Sequence, residues 1–157
     1  ENAVRSLQAA AARSGDLGVT IGVENVAGSF LTSPREFAQF LRDVGSPWVR
    51  AYLDLGNVSA TGLQYPENWI SALAGAIAMV HVKDHDRSVG TWRGFRLCGQ
   101  GDLDWPVMLG ALREVAYDGY LIIETPPDEA GRPLRYPEDG LEAARTGLEF
   151  LRSRLRG

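Results

Sequence analysis

Four residues capable of metal binding or proton transfer stand at the ends of four short apolar runs. Glu24 follows Val19 to Val23, Asp54 follows Val49 to Leu53, His81 lies within Ile77 to Val82, and Glu124 follows Tyr120 to Ile123. Three carboxylates are costly to bury together unless a cation balances them. Three oxygens with one imidazole make a site for a divalent ion of the Mn²⁺, Mg²⁺ or Co²⁺ kind, and less typically Zn²⁺. Any one of these acids alone also reads as a helix cap or an exposed strand end. Their recurrence at four successive strand ends favours a shared site.

The runs that carry them are continuously apolar and rich in branched residues, so both of their faces are expected to be covered, as in a parallel sheet flanked by helices. Functional groups in such folds gather at the carboxyl ends of the strands. The helices between them have legible starts. Ser33-Pro34-Arg35-Glu36 provides an N-cap serine, a proline at the first helical position and a glutamate three residues on, a capping box, with Phe37, Phe40 and Leu41 as the buried stripe. Pro66 opens a helix that buries Trp69, Ile70 and Leu73, and Asp104 caps one that carries Met108, Leu109 and Leu112. Pro137 opens the last helix, with Leu141, Ala144, Leu148 and Leu151 expected inside and the Arg152 to Arg156 tail in solvent.

The fold class is therefore α/β: a leading helix, then four parallel strands each followed by a helix. That is half of a (β/α)8 barrel. A closed barrel takes roughly 200 residues at the least, and the chain has 157. Residues 1–157 are read as a single partial-barrel domain from a parent of about 250–300 residues. Glu1 to Arg13 lacks Met, a basic leader and an apolar signal core, and reads as the middle of a helix. The chain is expected to begin inside a domain.

Composition narrows the function classes. Sixteen basic and twenty acidic side chains give a net charge of −4, which argues against a nucleic-acid partner. The longest uncharged apolar stretch, Trp69 to Val82, falls short of the ~20 residues of a bilayer span, so no membrane partner is expected. The single Cys98 cannot form an internal disulfide and reads as an ordinary half-buried thiol. A cytoplasmic location follows as the default.

The segments GVENVAGSFLTSP, AYLDLGNV, YPENWI, HVKDHDRSVGT, GF followed by GQGDLDW, and ALREVAYDGYLIIET run in order along nearly the whole chain. Together they resemble the C-terminal half of the sugar phosphate isomerase/epimerase family. This group of xylose isomerase-like TIM barrels includes L-ribulose-5-phosphate and L-xylulose-5-phosphate 3-epimerases and ketose 3-epimerases. The resemblance implies an isomerase of carbohydrate metabolism acting on a small sugar or sugar phosphate, with one divalent metal ion, Mn²⁺ first and Mg²⁺, Co²⁺ or Zn²⁺ as alternatives, in a homo-oligomer. It implies Glu24, Asp54, His81 and Glu124 as metal ligands, with Glu24 and Glu124 also as the acid/base pair on opposite faces of the substrate. The chemistry is coherent: a Lewis acid on a ketose's carbonyl and adjacent hydroxyl stabilises an enediolate while one carboxylate removes a carbon-bound proton and the other returns one. Epimerisation needs two faces and aldose–ketose isomerisation one, so the flanking pair favours 3-epimerisation.

Further positions follow from the same resemblance. Arg87, six residues after His81, matches a substrate-contacting guanidinium, against a reading as an exposed loop arginine. Asn57 stands where some ketose epimerases carry a histidine, and is either a polar substrate contact or a turn residue. Lys83 and Asp84 are either a pair orienting His81 or a surface ion pair. Phe30 replaces a substrate-contacting glutamate of some relatives. Gly99 and Gly101 are explained by backbone conformation, with phosphate binding through their amides as the alternative. Trp69 and Trp105 are assigned to packing, Trp92 to a pocket wall or an oligomer contact, and His85 to the loop as an ordinary histidine.

Two other functions compete with this reading. An AP endonuclease of the endonuclease IV type shares the barrel but needs a histidine-rich zinc cluster, and the chain has two histidines. The other reading is a non-catalytic half-barrel, inactive alone or assembling with another chain, because an open half-ring exposes strand edges and the inward side chains of its outer strands.

Overall fold

The computed structural model describes residues 2–26, 28, 30–61, 64–126 and 138–156. In chain order the elements are α1 (Asn2–Leu17), β1 (Ile21–Glu24), α2 (Pro34–Val44), β2 (Val49–Asp54), α3 (Leu55–Ala60), α4 (Pro66–Ala72) and β3 (Ile77–Val82), followed by β4 (Asp84–His85), a 3-10 turn (Trp92–Gly94), β5 (Phe95–Arg96), α5 (Trp105–Glu114), β6 (Leu121–Ile123) and α6 (Glu138–Leu155). Strands β1, β2, β3 and β6 form one parallel sheet in that order. Parallel strands alternating with helices in this order make a partial TIM barrel. The short β4–β5 ribbon is antiparallel and lies in the connection after β3; no alternation in the sequence signalled it.

Burial follows position in the sheet. Ala51, Leu53, Val80 and Val82 on the two central strands are fully buried against Phe37, Trp69, Ile70 and Met108. Every residue of the outer strands β1 and β6 is only half-buried, as an open half-ring requires, and Val19 and Tyr120 fall outside the strands and are exposed. Register then sets the site. Asp54 pairs with His81 at the carboxyl ends of β2 and β3, Glu24 ends β1 level with Tyr52, and the backbone N–H of Glu124 continues the last ladder to the Val82 carbonyl.

The Ser33 hydroxyl accepts from the Glu36 N–H, as the motif requires, whereas the Glu36 carboxylate takes the N–H and hydroxyl of Thr32, one residue before the cap. At the other end of α2, Gly45 adopts φ 67° and its N–H caps the Leu41 carbonyl, a left-handed position that favours glycine. The segment after β2 is helical twice, because Asp54 caps α3 at once and Pro66 restarts the chain as α4.

The last helix differs from expectation. Leu151 is buried as expected, but Leu141 and Leu148 are exposed and Ala143 and Gly147 turn inward in their place, with Phe150 packed edge-on against Trp105 at 5.1 Å. Ala143, Gly147, Phe150 and Leu151 are themselves spaced at helical intervals, and small residues at two of these positions let α6 approach the sheet: a Cβ on Gly147 would sit 3.1 Å from Ile123. Pro137, expected to open this helix, lies outside the described residues. Among the described residues no helix is long and apolar enough to cross a membrane.

Candidate active site

Glu24, Asp54, His81 and Glu124 meet at the carboxyl edge of the sheet, with one ligand atom from each within 4.8 Å of all the others. His81 is central. Its Nδ1 lies 2.9 Å from Glu24 Oε1 and 3.6 Å from both Asp54 Oδ2 and Glu124 Oε2. The Tyr52 ring packs against the imidazole, centroids 4.2 Å apart.

The carboxylates differ in access. Asp54 has a side-chain exposure of 0%, against 30% for Glu24 and 44% for Glu124. Asp54 is fixed on several sides: its Oδ1 accepts from the Asn57 N–H at 2.7 Å, and its backbone is clamped by the Asn25 side-chain amide, which donates to the Asp54 carbonyl and accepts from its N–H. Burial raises the Asp54 pKa, but the neighbouring His81 and Lys83 side chains and the Asn57 backbone N–H outweigh it and the net direction is down. The adjacent Asp54 carboxylate raises the His81 pKa, burial opposes it, and Glu24 adds to the rise. Burial and then the three carboxylates raise that of Tyr52. Such mutual stabilisation of anions and a cationic partner is what a carboxylate cluster needs in order to stay ionised.

Lys83 supplies the second cation. It is neither a partner of Asp84 that orients His81 nor part of a surface ion pair, the two roles its position in the sequence suggests. Its side chain is buried, with Nζ 2.6 Å from Asp54 Oδ2 and 2.5 Å from Glu124 Oε2, over the ring of Phe95 at 4.5 Å. The signal was present: Lys83 stands two residues beyond His81, and along an extended strand that spacing places both on one face. Asp84, facing the other way and fully buried, accepts from the N–H groups of His85, Gly99 and Leu103 and from Trp105 Nε1. It is thereby the anchor of the 99–103 turn. Gly101 belongs to this anchor, since a Cβ there would lie 2.5 Å from Asp84 Oδ1.

Together the four groups offer three carboxylates and an imidazole converging from four strand ends, a donor set that fits one hard or borderline divalent ion. Among the described residues no other group of this kind occurs.

The sequence profile of the family described as the xylose isomerase-like TIM barrel matches residues 1–154. The chain belongs to that family. Among curated relatives, it is 29% identical over 120 residues to the Escherichia coli (strain K12) protein named "Putative L-ribulose-5-phosphate 3-epimerase SgbU", covering 74% of this chain and 41% of that protein. It is 26% identical over 113 residues to an uncharacterized protein of Methanocaldococcus jannaschii, covering 69% and 38%. The chain thus spans about two fifths of the curated relatives it matches. Among solved structures, the D-allulose 3-epimerase of Methylomonas sp. superposes with a TM-score of 0.78 at 22% identity, covering 98% of this chain and 55% of that one. A D-psicose 3-epimerase superposes with a TM-score of 0.74 at 24% identity, covering 98% and 55%. These likenesses show the fold.

The other residues singled out from the sequence have varied places in the fold. Asn57 is buried in α3, its Nδ2 donating to the Asn25 carbonyl at 2.9 Å, so it ties the β1 and β2 strand ends together. Arg87 is exposed in the connection after β4, its ring-facing guanidinium 5.8 Å from the Tyr65 centroid and its Nε 3.4 Å from Ser59 Oγ. Phe30 is half exposed and meets Phe40 edge-on at 5.2 Å. Trp69 and Trp105 are core residues and Trp92 is exposed, while His85 is fully buried and not a free loop side chain. Cys98 is buried rather than half-buried; burial, with the Asp84 charge behind it, pushes its pKa to about 12.

Proposed function

We propose that this chain is the metal-binding, acid/base part of an epimerase that inverts C3 of a ketose or ketose phosphate. One observation carries the reading. Glu24 and Glu124 come from the two opposite edges of the four-stranded sheet and flank His81, and they are the two accessible carboxylates, while the third acid, Asp54, is sealed from solvent. Two reachable bases on opposite sides of a substrate are what inversion by deprotonation and reprotonation requires.

In this reading Glu24, Asp54, His81 and Glu124 hold one divalent ion, Mn²⁺ before Mg²⁺, Co²⁺ or Zn²⁺. When bound, that ion supplies the Lewis acidity that makes the carbon-bound proton next to the carbonyl removable. One glutamate takes this proton from one face and the other delivers a proton to the opposite face. Asp54, locked by Asn25 and Asn57, serves as a fixed ligand and has no room to shuttle protons. Arg87 provides forked donors for oxygens of the sugar away from the reacting carbon. The names of the relatives support a small sugar or sugar phosphate as substrate. The part spanned here implies that the complete pocket needs a further half-barrel, in the same chain or from a second one.

The test is to incubate the full-length protein with Mn²⁺ and a panel of ketoses and ketose phosphates in deuterated water. The reading requires epimer formation with solvent deuterium at C3. An epimer formed without deuterium, or aldose product alone, sinks it.

A further inference from the structure

His85 and Ser59 are buried polar residues with no part in the metal centre, and their bonds form a chain with one direction. His85 Nε2 lies 3.0 Å from the Thr91 carbonyl. A carbonyl only accepts, so Nε2 carries the proton. His85 Nδ1 lies 3.2 Å from Ser59 Oγ. In the singly protonated ring that nitrogen is an acceptor, so the Ser59 hydroxyl donates to it and turns its lone pairs outward. Arg87 Nε, a donor, stands 3.4 Å from that same oxygen. Each group is therefore used in the one sense its neighbours allow.

The rest of the setting holds this chain in place. His85 packs edge-on against Phe95 at 5.7 Å, and a Cβ on Gly94 would come within 2.7 Å of His85 Nε2, so the glycine permits the loop to close over the ring. The neighbouring acids are committed elsewhere. Asp86 binds Ser88 and Arg96, and Asp102 takes the backbone N–H of Arg87, not its side chain. Among the described residues no carboxylate pairs with the Arg87 guanidinium, which has Ser59 on Nε and Tyr65 against its face. Its two terminal nitrogens remain as a fork of donors.

We infer that Ser59 and His85 are positioning residues for Arg87. They fix the guanidinium, through a one-way relay from the Thr91 carbonyl, so that its terminal nitrogens bind substrate oxygens at a low entropic cost. The inference rests on the reading of Arg87 as a substrate contact. It assigns a positioning role to two residues outside the metal ligands.

The full-length protein tests it in two ways. Nitrogen NMR of His85 reads the tautomer and hydrogen exchange reads the Arg87 Nε–H, both without substrate. The KM and calorimetric Kd of L-ribulose 5-phosphate with Mn²⁺ read the consequence. The expected result is a proton on Nε2, an Arg87 Nε–H that exchanges about tenfold faster in Ser59→Ala, and a KM raised about tenfold with kcat within about twofold, the weight of one hydrogen bond. Ser59→Thr, which keeps the hydroxyl, should restore the protection. Ser59→Ala should add nothing to Arg87→Ala, because both remove one interaction. A proton on Nδ1, unchanged exchange in Ser59→Ala, or additive losses in the double variant would overturn the inference. If Arg87→Ala leaves KM and Kd unchanged while the NMR signature stands, the fault lies in the reading of Arg87 as a substrate contact, and the positioning role falls with it.

Discussion

The ammonium of Lys83 and the carboxylate of Asp54 are 2.6 Å apart, and both are sealed from solvent, with exposures of 2% and 0%. Removing one member of a buried pair leaves the other charge uncompensated, which costs about 3–5 kcal/mol. Lys83→Met should therefore lower the unfolding free energy read from urea denaturation by an amount of that order. Lys83→Met combined with Asp54→Asn should lose clearly less than the sum of the single variants. Additive losses would show that the pair contributes nothing beyond its separate packing.

On the proposed paired-acid mechanism, Glu24→Gln and Glu124→Gln should each reduce kcat by at least about a hundredfold, since each would delete a proton carrier as well as a charge. Partial reactions separate the two roles. If one glutamate serves each face, the variant that keeps the base for a given epimer still exchanges that epimer's C3 proton with deuterated solvent, although net inversion stops. Full inversion in either variant is incompatible with the paired-acid mechanism.

Ser33→Ala should cost about 1 kcal/mol by removing the acceptor for the Glu36 N–H at the start of α2. The Glu36 carboxylate has a pKa lowered chiefly by the Thr32 backbone hydrogen bond. A depressed carboxylate pKa contributes stability above its unfolded value near 4.5 and loses it as pH falls through the folded value. Glu36→Gln should thus flatten the acid limb of a stability–pH profile, and leave the profile above about pH 6 parallel to that of the native chain.

Cys98 should resist alkylation at neutral pH, since burial pushes its pKa to about 12 from an ordinary value of 9.0 and its thiol donates to the Val82 carbonyl. The sign of its pH effect is opposite to that of Glu36. An acid with a raised folded pKa favours folding below its unfolded value, and that contribution is lost as pH rises between about 9 and 12. Iodoacetamide labelling followed with urea concentration checks both points: modification should track global unfolding. Rapid labelling of the folded protein would place the thiol at the surface.

The local code of this chain was strong where one interaction dominates. The capping Ser33 and Asp104, the prolines that open α2 and α4, the continuously apolar strands and the placing of one ligand-type residue at each strand end are all properties of short windows of sequence, set by backbone conformation and hydrophobic period. The parallel sheet followed from them, and with it the convergence of Glu24, Asp54, His81 and Glu124. Other features depended on which distant groups came within reach. Lys83 is a site residue because two carboxylates, from the end of β2 and from just beyond β6, close around it, and Asp84 is a loop anchor because it faces away from them. His85 had no partner at a fixed spacing; Ser59, 26 positions earlier, and the Thr91 carbonyl became its partners only when α3 and the β4–β5 connection met. The leucine periodicity of α6 misassigned Leu141 and Leu148 for a related reason. Periodicity gives an apolar face, but which of two overlapping faces turns inward is decided by the surface it meets, and here the small Gly147 and Ala143 let the helix sit close to the sheet. Burial of a polar group, and the partner that satisfies it, are properties of the packed whole, and no window of the sequence contains them.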